Sequence, residues 1–122
     1  IGTNKIILDA YNANPTSMRA AIGNFAASDS ENKMLWIGGM KEMGKDERLE
    51  HEQLVQYIQQ YPWKDVVLVG HEFKGLSQSY RWFETSEEAA LFISRHKPTE
   101  AAILIKGSRG SKMENMLEAL KS

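Results

Sequence analysis

Three short stretches of this sequence hold more polar chemistry than a turn requires. The first is DAYNANPTS, Asp9 to Ser17, where an acid, an aromatic ring and two amides precede a proline. A carboxylate at a strand end can accept from ribose hydroxyls, and a tyrosine ring offers a face to a purine. A carboxamide both donates to and accepts from a base edge or a phosphate-bound water. Asn14 also has a structural use, because asparagine caps helices well and Pro15 suits the first helical position, where its missing N–H costs nothing. That use does not extend to Asp9, Tyr11 or Asn12. The second stretch is GGMKEMGKDERLEH, Gly38 to His51. Paired glycines let the backbone approach a ligand closely, or simply turn. A lone histidine early in a helix is more often a packed or capping residue than a catalyst, and no second histidine or carboxylate at ligand spacing supports a metal site there. The third is IKGSRGSKME, Ile105 to Glu114: a strand end, a glycine turn with Lys106, Ser108 and Arg109, then a helix start. Orphan backbone N–H groups and the positive end of a helix dipole make such a place an anion receptor. The bland alternative is a solvated basic turn. It is not a Walker loop, since lysine precedes glycine here. A forked arginine beside a helix start suits a carboxylate as well as a phosphate.

The elements that must carry these loops alternate along the chain. KIIL (5–8) precedes a helix with Met18, Ala21, Ile22 and Phe25 on one face, and MLWIG (34–38) precedes another with Leu54, Tyr57, Ile58 and Tyr61 in line. DVVLVG (65–70) is the clearest buried strand, and YRWF (80–83) is a shorter one. The segment 84–96 reads as a helix with a Thr85–Glu88 capping box and an inner stripe of Ala89, Phe92 and Ile93. AAILI (101–105) is the last strand, and Ser111 with Glu114 predicts a second capping box before Met113, Met116, Leu117 and Leu120. Alternation of this kind predicts a Rossmann-like, three-layer α/β/α fold around a mostly parallel sheet of five to six strands. Folds of this class bind ligands beyond the carboxyl ends of their strands, which is where all three loops fall.

Composition narrows the functional classes. At 122 residues the chain fits one domain with one sizeable core. Fifteen basic against sixteen acidic side chains give no field that argues for nucleic acid or a membrane surface. There is no cysteine, so disulfides, thiolate metal sites and cysteine nucleophiles are excluded. No apolar run approaches a membrane span of roughly 20 residues, and the cytoplasm is the expected compartment. The chain starts at Ile1, almost inside its first strand, and reads as a fragment of a longer protein.

Taken together, LDAYNANPTSM, GGMKEMG with the following His51, and LIKGSRGSKMENMLEAL resemble the carboxyl-terminal domain of the Mur ligases, and within them the member that adds a dipeptide. The resemblance runs from Lys5 to Lys121 and makes residues 1–122 one such domain, with the N-terminal and central domains absent. It implies an ATP-dependent, amide-bond-forming ligase of bacterial peptidoglycan synthesis. In that family the carboxyl end of a UDP-N-acetylmuramoyl-tripeptide is activated as an acyl phosphate, and the amine of D-alanyl-D-alanine attacks it. The resemblance also implies that ATP and Mg2+ serve the full-length enzyme, with the phosphate-cradling loop, the magnesium ligands and a modified lysine in the central domain. The carboxyl-terminal domain then closes over ATP, brings the dipeptide, and carries no catalytic group and no metal ligand of its own. By the same resemblance Asp9, Tyr11, Asn12 and Asn14 face the nucleotide, while Gly38, Lys41, Lys106, Gly107, Ser108 and Arg109 line the dipeptide side. His51 is without an assigned role. One departure stands out: family members usually read Gly-Asp-Met where this chain has Gly38-Gly39-Met40, so the contribution of that acid is missing. The competing expectations are a free-standing doubly wound module that binds a nucleotide or anion, and a purely structural docking domain.

Overall fold

The computed structural model describes residues 3–9, 13–76 and 79–121. Its elements are β1 (Lys5–Asp9), α1 (Pro15–Ala26), β2 (Lys33–Gly38), α2 (Glu47–Ile58), β3 (Asp65–Val69), β4 (Arg81–Phe83), α3 (Ser86–Arg95), β5 (Ala102–Lys106) and α4 (Glu114–Lys121). The five strands form one sheet in the order β1-β5-β2-β3-β4, and every pairing is parallel. The three-layer reading therefore holds, with five strands.

Side-chain alternation along each strand divides the core into two slabs. Leu35, Ile37, Val66, Leu68, Ala102 and Leu104 pack with Met18, Ile22 and Phe25 of α1 and Leu54, Val55 and Ile58 of α2. On the opposite face Met34, Trp36, Val67, Val69, Ile103 and Ile105 pack with Ala89 and Ile93 of α3 and Met116 and Leu120 of α4. Strands buried on both faces read as unbroken apolar runs, which is the pattern of MLWIG, VVLV and AILI. No helix among the described residues is long and apolar enough to cross a membrane.

Local chemistry fixes the helix starts. Asn14 Oδ1 accepts from the Ser17 N–H at 2.9 Å, Ser17 Oγ accepts from the Asn14 N–H at 3.1 Å, and Pro15 follows the cap. Thr85 and Glu88 form the expected reciprocal pair at the head of α3, each bond at 3.2 Å. Two expectations fail. Tyr61 is not on the α2 stripe, because that helix ends at Ile58; Pro62 disfavours helical backbone in the residue before it. The Tyr61 ring turns back edge-on to Tyr57 at 5.5 Å. Ser111 does not join a capping box either: it ends a 3-10 turn (Arg109–Ser111), where its Oγ donates to the Ser108 carbonyl at 2.6 Å. Lys112, left-handed at φ 54, then separates that turn from α4.

Replacing Asn14 by alanine should cost about 1 kcal/mol of folding stability, the usual worth of such a cap. Denaturant unfolding of Asn14→Ala reads this directly, and an unchanged midpoint would show that Pro15 and the tertiary contacts set the helix start alone.

Candidate functional site

Because every strand runs the same way, the carboxyl ends of β1, β2, β3 and β5 lie along one edge of the sheet. A cleft of about 200 Å³ opens there, lined among others by Lys41, Gly70, Glu72, Ser86 and Ser111. The buried side-chain polar atoms without a hydrogen-bond partner among the described residues are Trp36 Nε1, Glu72 Oε1 and Ser108 Oγ. The last two lie at this edge. Buried polar groups are almost always satisfied, so ones without a protein partner beside a cleft mark a place where folding is not the only demand.

Asp9 and Lys106 are register partners at the ends of β1 and β5. Lys106 Nζ donates to Asp9 Oδ2 at 2.6 Å; the lysine side chain is 2% exposed and the aspartate 43%. The pair joins a residue expected on the nucleotide side to one expected on the dipeptide side. Lys106 is therefore the inner anchor of an ion pair, and Asp9 is the half that meets solvent. Asn14, as described, spends its side chain on the cap of α1. Tyr11 and Asn12 lie outside the described residues.

Gly38 in the second loop and Gly107 in the third are tight packing positions. A Cβ at Gly38 would stand 2.6 Å from Ser111 Oγ and 2.8 Å from Met113 Sδ, and one at Gly107 would stand 2.9 Å from the Gly38 Cα. The ends of β2 and β5 thus lie against each other and against the turn before α4. Ser108 is buried and donates its N–H to the Gly39 carbonyl at 3.3 Å, while Arg109 is exposed at the start of the 3-10 turn.

His51 is fully buried and holds the second loop to α2. Its Nε2 accepts from the Met40 N–H at 2.9 Å, and its Nδ1 meets the Glu47 carbonyl at 2.6 Å. These partners assign the proton to Nδ1 and leave the ring neutral. The Phe73 ring meets it edge-on at 4.9 Å. His51 is a structural clamp, with neither face left for chemistry.

The candidate side chain at this edge that the sequence reading missed is Glu72. It follows β3 in a 3-10 turn (His71–Phe73), its side chain is 1% exposed, and its Oε2 accepts from Lys41 Nζ at 2.7 Å. Burial alone would raise its pKa. The Lys41 hydrogen bond, its own backbone N–H, and the charges of Lys41 and His71 outweigh that and hold it below the ordinary value of 4.5. The carboxylate fits because two residues lack side chains. A Cβ at Gly39 would fall 2.5 Å from Glu72 Cδ, and one at Gly70 would overlap Oε1. Gly70 also needs to be glycine for its φ of 123°. At position 39, where the family usually has an acid, this chain has glycine, and the carboxylate of Glu72 from another loop lies in the space a side chain there would enter. The only sequence cue was an acid between a histidine and a phenylalanine, two residues after the glycine that closes a buried strand.

Lys41 ties the second loop to the third, its stem lying against Gly110 so that a Cβ there would meet Lys41 Cε at 3.4 Å. Glu47, His71 and Glu72 each bring one ligand atom within 4.8 Å of the others. That set does not fit Mg2+, which wants an octahedron of oxygens, because it includes an imidazole and a carboxylate already neutralised by an ammonium.

A family model described as "Mur ligase, glutamate ligase domain" matches residues 1–109. The UDP-N-acetylmuramoyl-tripeptide–D-alanyl-D-alanine ligase of Rickettsia prowazekii is 35% identical over 124 residues, covering 97% of this chain and 28% of that protein. A crystal structure of MurF from Acinetobacter baumannii superposes with a TM-score of 0.82 at 31% identity, over 98% of this chain and 28% of the other. MurF ligase from Thermotoga maritima, solved in complex with ADP, has the same fold: TM-score 0.76 at 21% identity, over 95% of this chain and 28% of that one. The chain thus spans about a quarter of the length of the curated relatives it matches.

Two measurements check the local assignments. His51→Ala leaves the buried Met40 N–H without its acceptor and should cost roughly 1–3 kcal/mol before any cavity cost is added. Glu72 has a folded-state pKa below its unfolded one, so its contribution is complete above the ordinary value of 4.5 and lost as pH falls through the folded value. Melting curves taken downward from about pH 5 should therefore show a steeper loss for the wild type than for Glu72→Gln. Parallel curves would mean that the pair contributes nothing.

Proposed function

This chain belongs to the Mur ligase family, and on that premise we propose that it is the carboxyl-terminal, substrate-closing domain of a UDP-N-acetylmuramoyl-tripeptide–D-alanyl-D-alanine ligase. The match of nearly the whole chain to about a quarter of the length of ligases of that name carries the reading.

In the proposed reaction a carboxylate oxygen of the tripeptide takes the γ-phosphoryl group of ATP, giving an acyl phosphate and ADP. The dipeptide amine attacks the acyl carbon, phosphate leaves, and the nitrogen loses a proton as the amide forms. The phosphate-cradling loop and the oxygen ligands of Mg2+ belong to the central domain, in keeping with the poor fit of the acidic residues described above. This domain contributes position. Asp9, with Tyr11 and Asn12, faces the nucleotide; its half-exposed carboxylate suits ribose hydroxyls while Lys106 holds it from behind. Arg109 and Lys41 face the dipeptide. That substrate must offer a neutral amine to the acyl phosphate, so recognition grips its opposite end, a carboxylate, which a guanidinium fork matches in charge and shape. Holding the amine at attacking distance removes much of the entropic cost of the step. The enzyme works in the bacterial cytoplasm, where ATP and the nucleotide-linked precursor are available.

The isolated domain should unfold cooperatively yet release no phosphate above buffer from ATP, whereas the full-length protein should join tripeptide and dipeptide. Turnover by the domain alone would overturn the division of labour. In the full-length protein, Arg109→Ala should weaken dipeptide use about ten- to a hundredfold, the loss of one charge-assisted contact. Arg109→Lys should recover part of it, and ATP binding without dipeptide should hardly change. A loss confined to ATP would reverse the assignment of the two sides.

A further inference from the structure

Glu72 has no part in the reaction just described, yet it is a buried charge at the working edge of the sheet with one oxygen that has no hydrogen-bond partner among the described residues. A carboxylate in that position is a poor source of stability, since apolar replacement of buried charged pairs is often neutral or favourable. It does, however, restrict a neighbour. Lys41, 42% exposed, would otherwise sample many rotamers, and a rigid partner at 2.7 Å removes that freedom.

We propose that Glu72 is a positioning residue: it reaches from the turn after β3 into the space left by Gly39 and Gly70 and fixes the Lys41 ammonium at the mouth of the cleft, where Lys41 takes the carboxylate of the incoming amine substrate. The identity of that ligand rests on the function proposed above; the Glu72–Lys41 device does not.

Three observations support it. The carboxylate lies where a side chain at position 39 would begin: a Cβ placed there would stand 2.5 Å from Glu72 Cδ and 2.8 Å from Oε2, so a side chain at 39 would displace the carboxylate from its present position. Both glycines leave their Cβ space to the same carboxylate, although they come from different strand ends. The other side of Lys41 is bounded by Gly110, which offers no side chain to push the lysine away from the cleft. The groups facing the carboxylate are Lys41, His71, whose Nδ1 stands 3.7 Å from Oε1, and beyond it Glu47, 3.7 Å from His71 Nε2. Lys41 alone among them is within hydrogen-bond distance in the described residues.

The test is a set of substitutions in the full-length ligase, with steady-state kinetics for each substrate and a melting curve as a folding control. Glu72→Ala should raise the dipeptide KM on the order of tenfold, the scale of a misplaced binding group, with kcat and the ATP KM nearly unchanged. Lys41→Ala should do the same, and the double variant should be no worse than Lys41→Ala alone. Gly39→Asp should be destabilising in the presence of Glu72, because two carboxylates then compete for one space. Gly39→Asp combined with Glu72→Ala should restore the dipeptide KM, since the acid then reaches Lys41 from the neighbouring strand end. Non-additivity of Glu72 and Lys41 in whichever KM responds supports the device. Additive effects, or a lowered melting temperature with no KM change, overturn it. A response in the ATP KM instead of the dipeptide KM leaves the device standing and overturns the ligand assignment.

Discussion

β5, the last strand in sequence, hydrogen-bonds to β1 on one side and β2 on the other, and the architecture depends on that insertion. Lys5 and Lys33 both register with Ala102, so one strand sets the alignment of the other two. Until it enters, β1 has no strand partner and the two core slabs lack Leu104 on one face and Ile103 and Ile105 on the other. Contacts between residues 97 apart, as in Lys106 with Asp9, form only after almost the whole chain is in place. Such topology is slow to fold compared with one built of neighbours. It also forces three loops from distant parts of the sequence to share one edge. Every feature of the site follows from that crowding.

Crowding explains the glycines, and it also explains the charges. Two ion pairs stand at this edge, and each has a buried and an exposed half. Lys106 is inside and Asp9 outside; Glu72 is inside and Lys41 outside. The arrangement offers a carboxylate at the end of β1 and an ammonium just past the end of β2, each steadied from behind by an opposite charge. A surface ion pair is worth little in stability. A pair with one fixed member gives its outer member a direction. Opposite signs at two points along one edge, at the outer strand β1 and the central strand β2, suit a pair of ligands of different chemistry, hydroxyl-rich at one and anionic at the other.

Much of this was legible in the sequence, and the limits have a common cause. Strands buried on both faces announce themselves as apolar runs, and the Thr85–Glu88 and Asn14–Pro15 signals are local, so they survived. Tyr61 was misplaced because the apolar period ran up to a proline that the backbone could not ignore. Ser111 was misplaced because a left-handed Lys112 broke a motif whose residues were all present. His51 could be suspected of packing but not identified as a clamp, because its partners are backbone groups with no signature. The Asp9–Lys106 pair was invisible, since only the strand order brings those positions together.

Position 39 shows the same limit in its sharpest form. Along the sequence, a glycine in place of an acid reads as a loss. In space, an acid is present nearby: Glu72 arrives from the turn after β3 and its carboxylate occupies the volume that a side chain at 39 would enter. A side chain at 39 would require that carboxylate to shift, so the residues at 39 and 72 are coupled although they are distant in sequence. The glycine at 70 shares in that coupling, because a Cβ there would close the same space from the other strand. A local motif records which residue fills a position, whereas the chemistry depends on which group fills a volume. At the crowded edge of a parallel sheet those are different questions, and the group that holds Lys41 comes from 31 residues away.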